Sequence, residues 1–205
     1  MRVSVEGRLP AAGLVVSNHL SYLDILFFSS LFPCIFVSKS EVLSWPLFGI
    51  LARCGGTIFV ERGRGAVIDS VSRQITAALE AGIPVTLFPE GTSTDGGTVL
   101  RFFPALFEPA VEAGAVVVSS AVAYELDDGR EVDMCYYGDI SFAPHLFKAL
   151  AHKAVHARIA FAEGGVRYRD RKTAASESRE EVLAIRATLA RHAPDSRVPG
   201  GAGRG

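Results

Sequence analysis

Residues 15–25 read VVSNHLSYLDI, an apolar run that breaks into Asn18, His19, Ser21 and Asp24 before hydrophobicity resumes. The segment LVVS (14–17) is a short β-branched run of strand type, and a helix is expected to begin around Tyr22. Five residues along a helix rotate by about 140°, so His19 and Asp24 meet only if one of them lies outside it. With His19 in the loop and Asp24 in the first turn, the carboxylate reaches back to an imidazole nitrogen. That contact would fix the tautomer and leave the other nitrogen as a base toward a substrate hydroxyl. The same spacing supports another use of Asp24, because Ser21 and Asp24 match the S-x-x-[DE] capping box of a helix start.

Outward from this stretch, strand-type runs recur as CIFVS (34–38), TIFV (57–60), VTLF (85–88), AVVVSSAVAY (115–124) and ARIAF (157–161), each bounded by turn residues. Between them, Val67, Ile68, Val71, Ile75, Ala78 and Leu79 keep one apolar helical face that stops at Gly82, a C′ signal. HKAVH would place His152 and His156 on one helical face. A charged helix is expected from near Ser178, with Ser178 and Glu181 as its capping box. Strand alternating with helix implies an α/β fold, a single domain with a mostly parallel mixed sheet covered by helices. The domain is expected over residues 1–192, followed by a disordered Gly/Pro-rich tail over 193–205.

Bulk composition narrows the function. A chain of 205 residues with 49% hydrophobic and 21% charged residues can bury one full core. A net charge of −1 provides no overall attraction to nucleic acid or anionic membrane, so no nucleic-acid partner is expected. Cys34, Cys54 and Cys135 lack a CxxC spacing, which argues against a disulfide framework and a metal site and fits a reducing cytoplasm. ILFFSSLFPCIFV (25–37) is too short to cross a bilayer and contains Pro33, and no signal-peptide-like segment follows Met1, so the chain is expected to be neither secreted nor membrane-spanning. Neither G-x-x-x-x-G-K-[ST] nor G-x-G-x-x-G occurs, and without GxSxG a serine nucleophile has no mount.

Polar residues cluster where strands end: NHLSYLD after LVVS, ERGRG after TIFV, and PEGTSTDGG after VTLF. Ligands of open parallel sheets bind beyond the carboxyl ends of the strands. Polar turns are ordinary singly, but three on one rim describe a site.

Asn18, His19 and Asp24 form NHxxxxD; Phe59, Glu61 and Arg62 stand in IFVERG; Phe88, Pro89, Glu90, Gly91, Thr92 and Ser93 make FPEGTS. In this order and at these separations, over roughly residues 3 to 175, the sequence resembles the lysophosphatidate acyltransferase-like glycerolipid acyltransferases. GAVVVSSAVAYE stands where a fourth, apolar motif is expected, without its usual proline. The resemblance implies a glycerolipid acyltransferase-like fold and an O-acyltransferase. Such an enzyme moves a fatty acyl chain from acyl-CoA or acyl carrier protein to the free hydroxyl of a lysophospholipid such as 1-acyl-glycerol-3-phosphate, giving phosphatidate. His19 would be the general base and Asp24 its orienting partner. Substrate would be bound by Asn18, Phe59, Glu61, Arg62, Glu90, Gly91, Thr92, Ser93 and Arg101, and no cofactor is implied beyond the acyl donor itself.

Arg62 suits phosphate, since a guanidinium fork matches its oxygens. A carboxylate repels phosphate, so Glu90 would bind acceptor hydroxyls or hold Arg62, with a purely structural turn as the other reading. Many phosphatidate-forming relatives have arginine where Ser93 stands. Ser93, YYGDISFAPHL (136–146) and DRKTA (170–174) resemble the lyso-ornithine lipid acyltransferase branch. Two alternatives therefore stay open: acylation of a lyso-ornithine lipid, and a non-catalytic lipid-binding module with Asp24 turned into its helix cap.

Lipid substrates also imply a membrane surface, with the protein peripheral on the inner face of the cell membrane. Family members often carry a hydrophobic anchor before the first motif, whereas 18 residues precede His19 here. Trp45, Leu47 and Phe48 in SWPLFGIL suit a headgroup boundary. The stripe Phe103, Leu106, Phe107, Ala110 and Val111, on a helix expected from Arg101 to Gly114, better fits packing against the sheet.

If Arg62 holds phosphate, Arg62→Ala raises KM for lysophosphatidate far more than for an uncharged acceptor. Arg62→Lys, which keeps the charge without the fork, recovers part of the loss. Equal losses on both acceptors in steady-state kinetics would assign Arg62 to structure.

Overall fold

A computed structural model describes residues 1–39, 57–60 and 65–191. The chain runs β1 (Arg2–Glu6), β2 (Leu14–Ser17), α1 (Leu23–Leu31), β3 (Ile35–Lys39), β4 (Ile58–Val60), α2 (Gly65–Glu80), β5 (Val85–Leu87), α3 (Glu108–Glu112), β6 (Val117–Leu126), α4 (Phe142–Ala151), β7 (Val155–Phe161) and α5 (Arg171–Arg191). Short 3-10 turns stand at Pro104–Phe107 and Glu131–Met134.

The strands form one sheet of order β1-β7-β6-β2-β5-β3-β4. β2 pairs in parallel with β5 and β6, and β3 with β5 and β4. β6 and β7 pair antiparallel, while β1 runs parallel to β7 at the edge. The sheet is therefore mostly parallel and mixed, as the alternating pattern implies. β2 is wholly buried at its centre, which explains why LVVS carries no polar alternation before its last residue.

Alternation along β6 separates two cores. Val117, Ala121 and Ala123 pack with residues of α2, α3 and α5. Val118, Val122 and Tyr124 point the other way, into a core containing Leu23, Phe27 and Phe28 of α1 and Ala149 of α4. Phe28 is fully buried, with its ring edge-on to Phe88 and Phe161 at centroid distances of 6.0 and 6.1 Å. Burial of such a side chain contributes about 1.5–3 kcal/mol. It also fixes α1 against the strand that delivers Phe88.

Register decides where the rim is uneven. Ser17, the last residue of β2, pairs with Ser120, so β6 continues to Leu126 beyond it. That overhang carries Val122 and Tyr124 past the end of β2, beside the loop that begins at Asn18.

Gly82 ends α2 as expected: its φ is +74°, its N–H bonds Leu79 at 3.0 Å, and Ile83 N–H bonds Ala78 at 2.9 Å. These are the paired contacts of a Schellman end. Other expectations are corrected. α5 begins at Arg171 rather than near Ser178, because Asp170 supplies the cap: its Oδ2 accepts the Thr173 N–H at 2.7 Å and the Thr173 hydroxyl at 2.6 Å. Ser178 is buried with Ala174, Ala175 and Val182, small and branched residues that let α5 lie close to the sheet.

His152 and His156 do not share a helical face. α4 stops at Ala151, and His156 belongs to β7, where Val155 and Ala157 alternate inward. Likewise Arg101 lies in coil, and helical structure starts only at Pro104. Of the apolar stripe that follows, Phe107 and Ala110 are buried in the core and Leu106 packs against it, while Phe103 is exposed. Trp45, Leu47, Phe48 and the tail over 193–205 lie outside the described residues.

Candidate active site

The loop after β2 is shaped by side chains that bond backbone. Asn18 is buried; its Nδ2 donates to the Val122 carbonyl at 3.1 Å, and its Oδ1 accepts the Val122 N–H at 2.9 Å. This side chain thus pairs with β6 as a further strand residue would. The Asn18 amide is used in holding the loop to the overhang. His19 next donates its N–H to Glu90 Oε1 at 2.8 Å and accepts the Thr94 N–H on its carbonyl at 2.9 Å. Its ring stacks on Phe88, with centroids 4.1 Å apart and planes 14° apart.

His19 Nδ1 stands 2.7 Å from Asp24 Oδ2. Helix α1 starts at Leu23, so His19 is in the loop and Asp24 in the first turn. Oδ2 also accepts the N–H groups of Leu20 at 2.8 Å and Ser21 at 3.1 Å, and Oδ1 accepts the Tyr124 hydroxyl. The imidazole contact forms, and only half of the capping box does: Asp24 accepts the Ser21 N–H, but the helix cap is Tyr22 and the Asp24 N–H goes to the Ser21 carbonyl rather than to its hydroxyl. Facing an acceptor, Nδ1 carries the proton. Nε2 has no partner among the described residues, and 19% of the His19 side chain is exposed.

Glu90 takes up the structural use that the sequence left open beside acceptor binding. It is 3% exposed, and its two oxygens accept the His19 N–H at 2.8 Å and the Leu100 N–H at 2.6 Å. It braces the histidine loop against the loop of its own motif. Burial pushes its carboxyl above the ordinary range, against the lowering effect of the two N–H donors. At Gly91 φ is +67°, and an added Cβ would sit 3.0 Å from the Phe103 ring, so glycine suits both the backbone and the space. Thr92 is exposed, and Ser93 is half-buried with its hydroxyl donated to the Tyr136 carbonyl. Phe59 is half-buried in β4, and Arg101 is exposed in coil. Glu61 and Arg62 lie outside the described residues.

Sequence reasoning missed several residues at this centre. Tyr124 is buried, its N–H donates to Glu131 Oε1 at 2.9 Å, and its hydroxyl reaches Asp24. A period of two shared with Val118 and Val122 was the available signal, but only the β6 register brings the ring to the loop. Arg186 of α5 donates to Glu131 at 2.5 and 2.9 Å and to the Val122 carbonyl at 2.7 Å. Arg179 of the same helix donates to the carbonyls of Leu100 and Val99 at 2.8 and 2.6 Å. Helix α5 thus fastens, from outside, both segments that hold the histidine loop. A cleft of about 470 Å³ lies beside this clamp, lined by residues including Gly96, Thr98, Tyr124, Glu131 and Arg186 but by neither His19 nor Asp24.

Fold and site together define an α/β protein with a carboxylate-oriented histidine at the carboxyl edge of its parallel strands. A family model described as Acyltransferase matches residues 2–123. The chain belongs to this acyltransferase family. It is 33% identical over 152 residues to the 1-acyl-sn-glycerol-3-phosphate acyltransferase of Neisseria meningitidis serogroup B, covering 74% of this chain and 60% of that protein. It is 36% identical over 200 residues to the lyso-ornithine lipid O-acyltransferase of Brucella abortus, covering 89% and 75%. The crystal structure of the 1-acyl-sn-glycerophosphate acyltransferase PlsC from Thermotoga maritima shares the fold, with a TM-score of 0.66 at 21% identity over 95% of this chain and 74% of that one. The chain thus spans 60% of the length of the meningococcal relative.

The bracing role of Glu90 makes a definite prediction. Glu90→Ala leaves two backbone N–H groups without acceptors and should lower the unfolding free energy by about 2 kcal/mol or more, read by urea denaturation. Unchanged stability with a raised KM for the acceptor would return Glu90 to substrate binding.

Proposed function

We propose that the protein is an O-acyltransferase that moves a fatty acyl chain from acyl-CoA or acyl carrier protein to the free hydroxyl of a lysolipid. The observation carrying this reading is the His19–Asp24 contact at 2.7 Å, with Nε2 unpartnered among the described residues. In the reaction, Nε2 takes the proton of the acceptor hydroxyl as that oxygen attacks the thioester carbonyl. The tetrahedral intermediate collapses with loss of the C–S bond, and the departing thiolate receives the proton back from the imidazolium. Asp24 supports the imidazolium through Nδ1, by the same logic as the carboxylate of a hydrolase triad. General-base help is worth about 10²–10⁴ in rate, so positioning must supply much of the remainder. The Phe88 stack and the Glu90 brace, which orient the ring before substrate arrives, support that role.

Lysophosphatidate is the first reading of the acceptor, with phosphatidate as product; the name of the meningococcal relative supports it. Arg62 would take the phosphate, with Phe59, Glu61, Gly91, Thr92 and Arg101 completing the acceptor site. A lyso-ornithine lipid is favoured by Ser93 directly after Glu-Gly-Thr and by the Brucella relative, of which 75% is covered. Transfer of a labelled acyl group from each donor to a panel of lysolipids decides between them.

The inner face of the cell membrane is the proposed place of work. No helix among the described residues is long and apolar enough to cross a membrane. Contact is supported by Phe147 and Leu150, 73% and 62% exposed on α4. Wild type should pellet with phospholipid vesicles, and a Phe147→Ser, Leu150→Ser double variant should pellet less. Wild type remaining in the supernatant would remove the membrane from the account.

His19→Ala should abolish transfer, and Asp24→Asn should leave less than about a hundredth of it, since a neutral amide cannot support the imidazolium. Full activity of purified His19→Ala protein would end the general-base mechanism.

A further inference from the structure

Asp24 is completely buried, and its two oxygens offer about four acceptor positions. Three of the donors converge on Oδ2: His19 Nδ1 and the N–H groups of Leu20 and Ser21. Oδ1 is served from β6 by the Tyr124 hydroxyl. Two oxygens with different partners hold a carboxylate plane in one orientation. Were Oδ1 left bare, the group would rotate toward Leu20 and Ser21 or draw in water, and its alignment with the imidazole would loosen.

We propose that Tyr124 is a positioning residue for acyl transfer: by occupying Asp24 Oδ1 it orients the carboxylate whose Oδ2 holds His19. The proposal rests on the acyltransferase reading above. Tyr124 is itself firmly placed. Its ring lies 5.8 Å from that of Phe27, its N–H is bound to Glu131, and Glu131 is paired with Arg186 of α5. The hydroxyl also remains a donor. Burial, reinforced by the adjacent Asp24 charge, pushes it well above the ordinary tyrosine value, so it keeps its proton throughout the working range. Tyr124 does not face the reacting atoms as an acid. Its effect on substrate passes through Asp24 and His19.

Tyr124→Phe keeps the ring and its packing while removing the one donor to Oδ1 among the described residues. The expected result is a fall in kcat of about tenfold, equivalent to ~1.4 kcal/mol, with KM for donor and acceptor within about twofold of wild type. Phe27→Leu serves as the comparison, since it removes the ring beside Tyr124 and lowers stability without touching the carboxylate. It should leave kcat within about twofold. In an Asp24→Ala background, Tyr124→Phe should cause no further loss, because its route of action is gone.

A proton NMR readout of the His19 Nδ1–H does not depend on turnover. That resonance should shift in Tyr124→Phe and stay in place in Phe27→Leu. Unchanged kcat in folded Tyr124→Phe, a repeated tenfold loss in the Asp24→Ala background, or an unmoved resonance would overturn the proposal. Wild type inactive on every donor and lysolipid, with the resonance still shifting, would instead overturn the acyltransferase reading and leave the positioning contact standing.

Discussion

The Asp24 carboxylate is fully buried, and among the described residues the one basic side chain against it is the imidazole of His19. An unpaired buried charge is prohibitively costly, so the surrounding fold must supply donors. Two segments supply them around the first turn of α1: the loop after β2 gives the histidine and two N–H groups, and β6 gives Tyr124. The first turn of a helix also favours a carboxylate through the helix dipole. One carboxylate thereby closes the loop onto the start of α1 and orients the His19 ring. These functions cannot be separated by small shifts of backbone.

The rest of the rim reads as support for that arrangement. Asn18 ties the loop to Val122, Glu90 ties it to Leu100, and Thr94 binds the His19 carbonyl. Arg179 and Arg186 then fasten the Val99–Leu100 and Val122 backbones from α5. Motifs far apart in sequence are thus joined through backbone groups. Glu90, 71 positions from His19, is needed at this point even though a carboxylate suits phosphate poorly. Thr92, beyond it in the third motif, and Arg101, further along the chain, are exposed.

Much of this was legible in the sequence where local rules govern. A strand stopping at Ser17, a helix starting just before Asp24 and the end of α2 at Gly82 follow from apolar period and turn chemistry. The His19–Asp24 contact follows from simple helix geometry. What local rules missed depended on register and packing. Tyr124 reads as one more apolar strand residue until β6 is seen to overrun β2. Glu90 reads equally as a ligand or as a structural turn until its two oxygens are seen to accept backbone donors. The start of α5 was misplaced because Ser178 and Glu181 mimic a cap, whereas the burial of Ala174, Ala175 and Ser178 marks that turn as helix interior.

For His19 to act as the proposed base, Asp24 must hold the proton on Nδ1 and leave Nε2 bare. Nitrogen-15 NMR of protein labelled in the histidine ring measures this directly at neutral pH. The expected result is a His19 ring with a protonated Nδ1 and an unprotonated Nε2 before substrate binds. A neutral ring protonated on Nε2 instead would contradict it, because the nitrogen facing the carboxylate would then lack the proton that the contact requires.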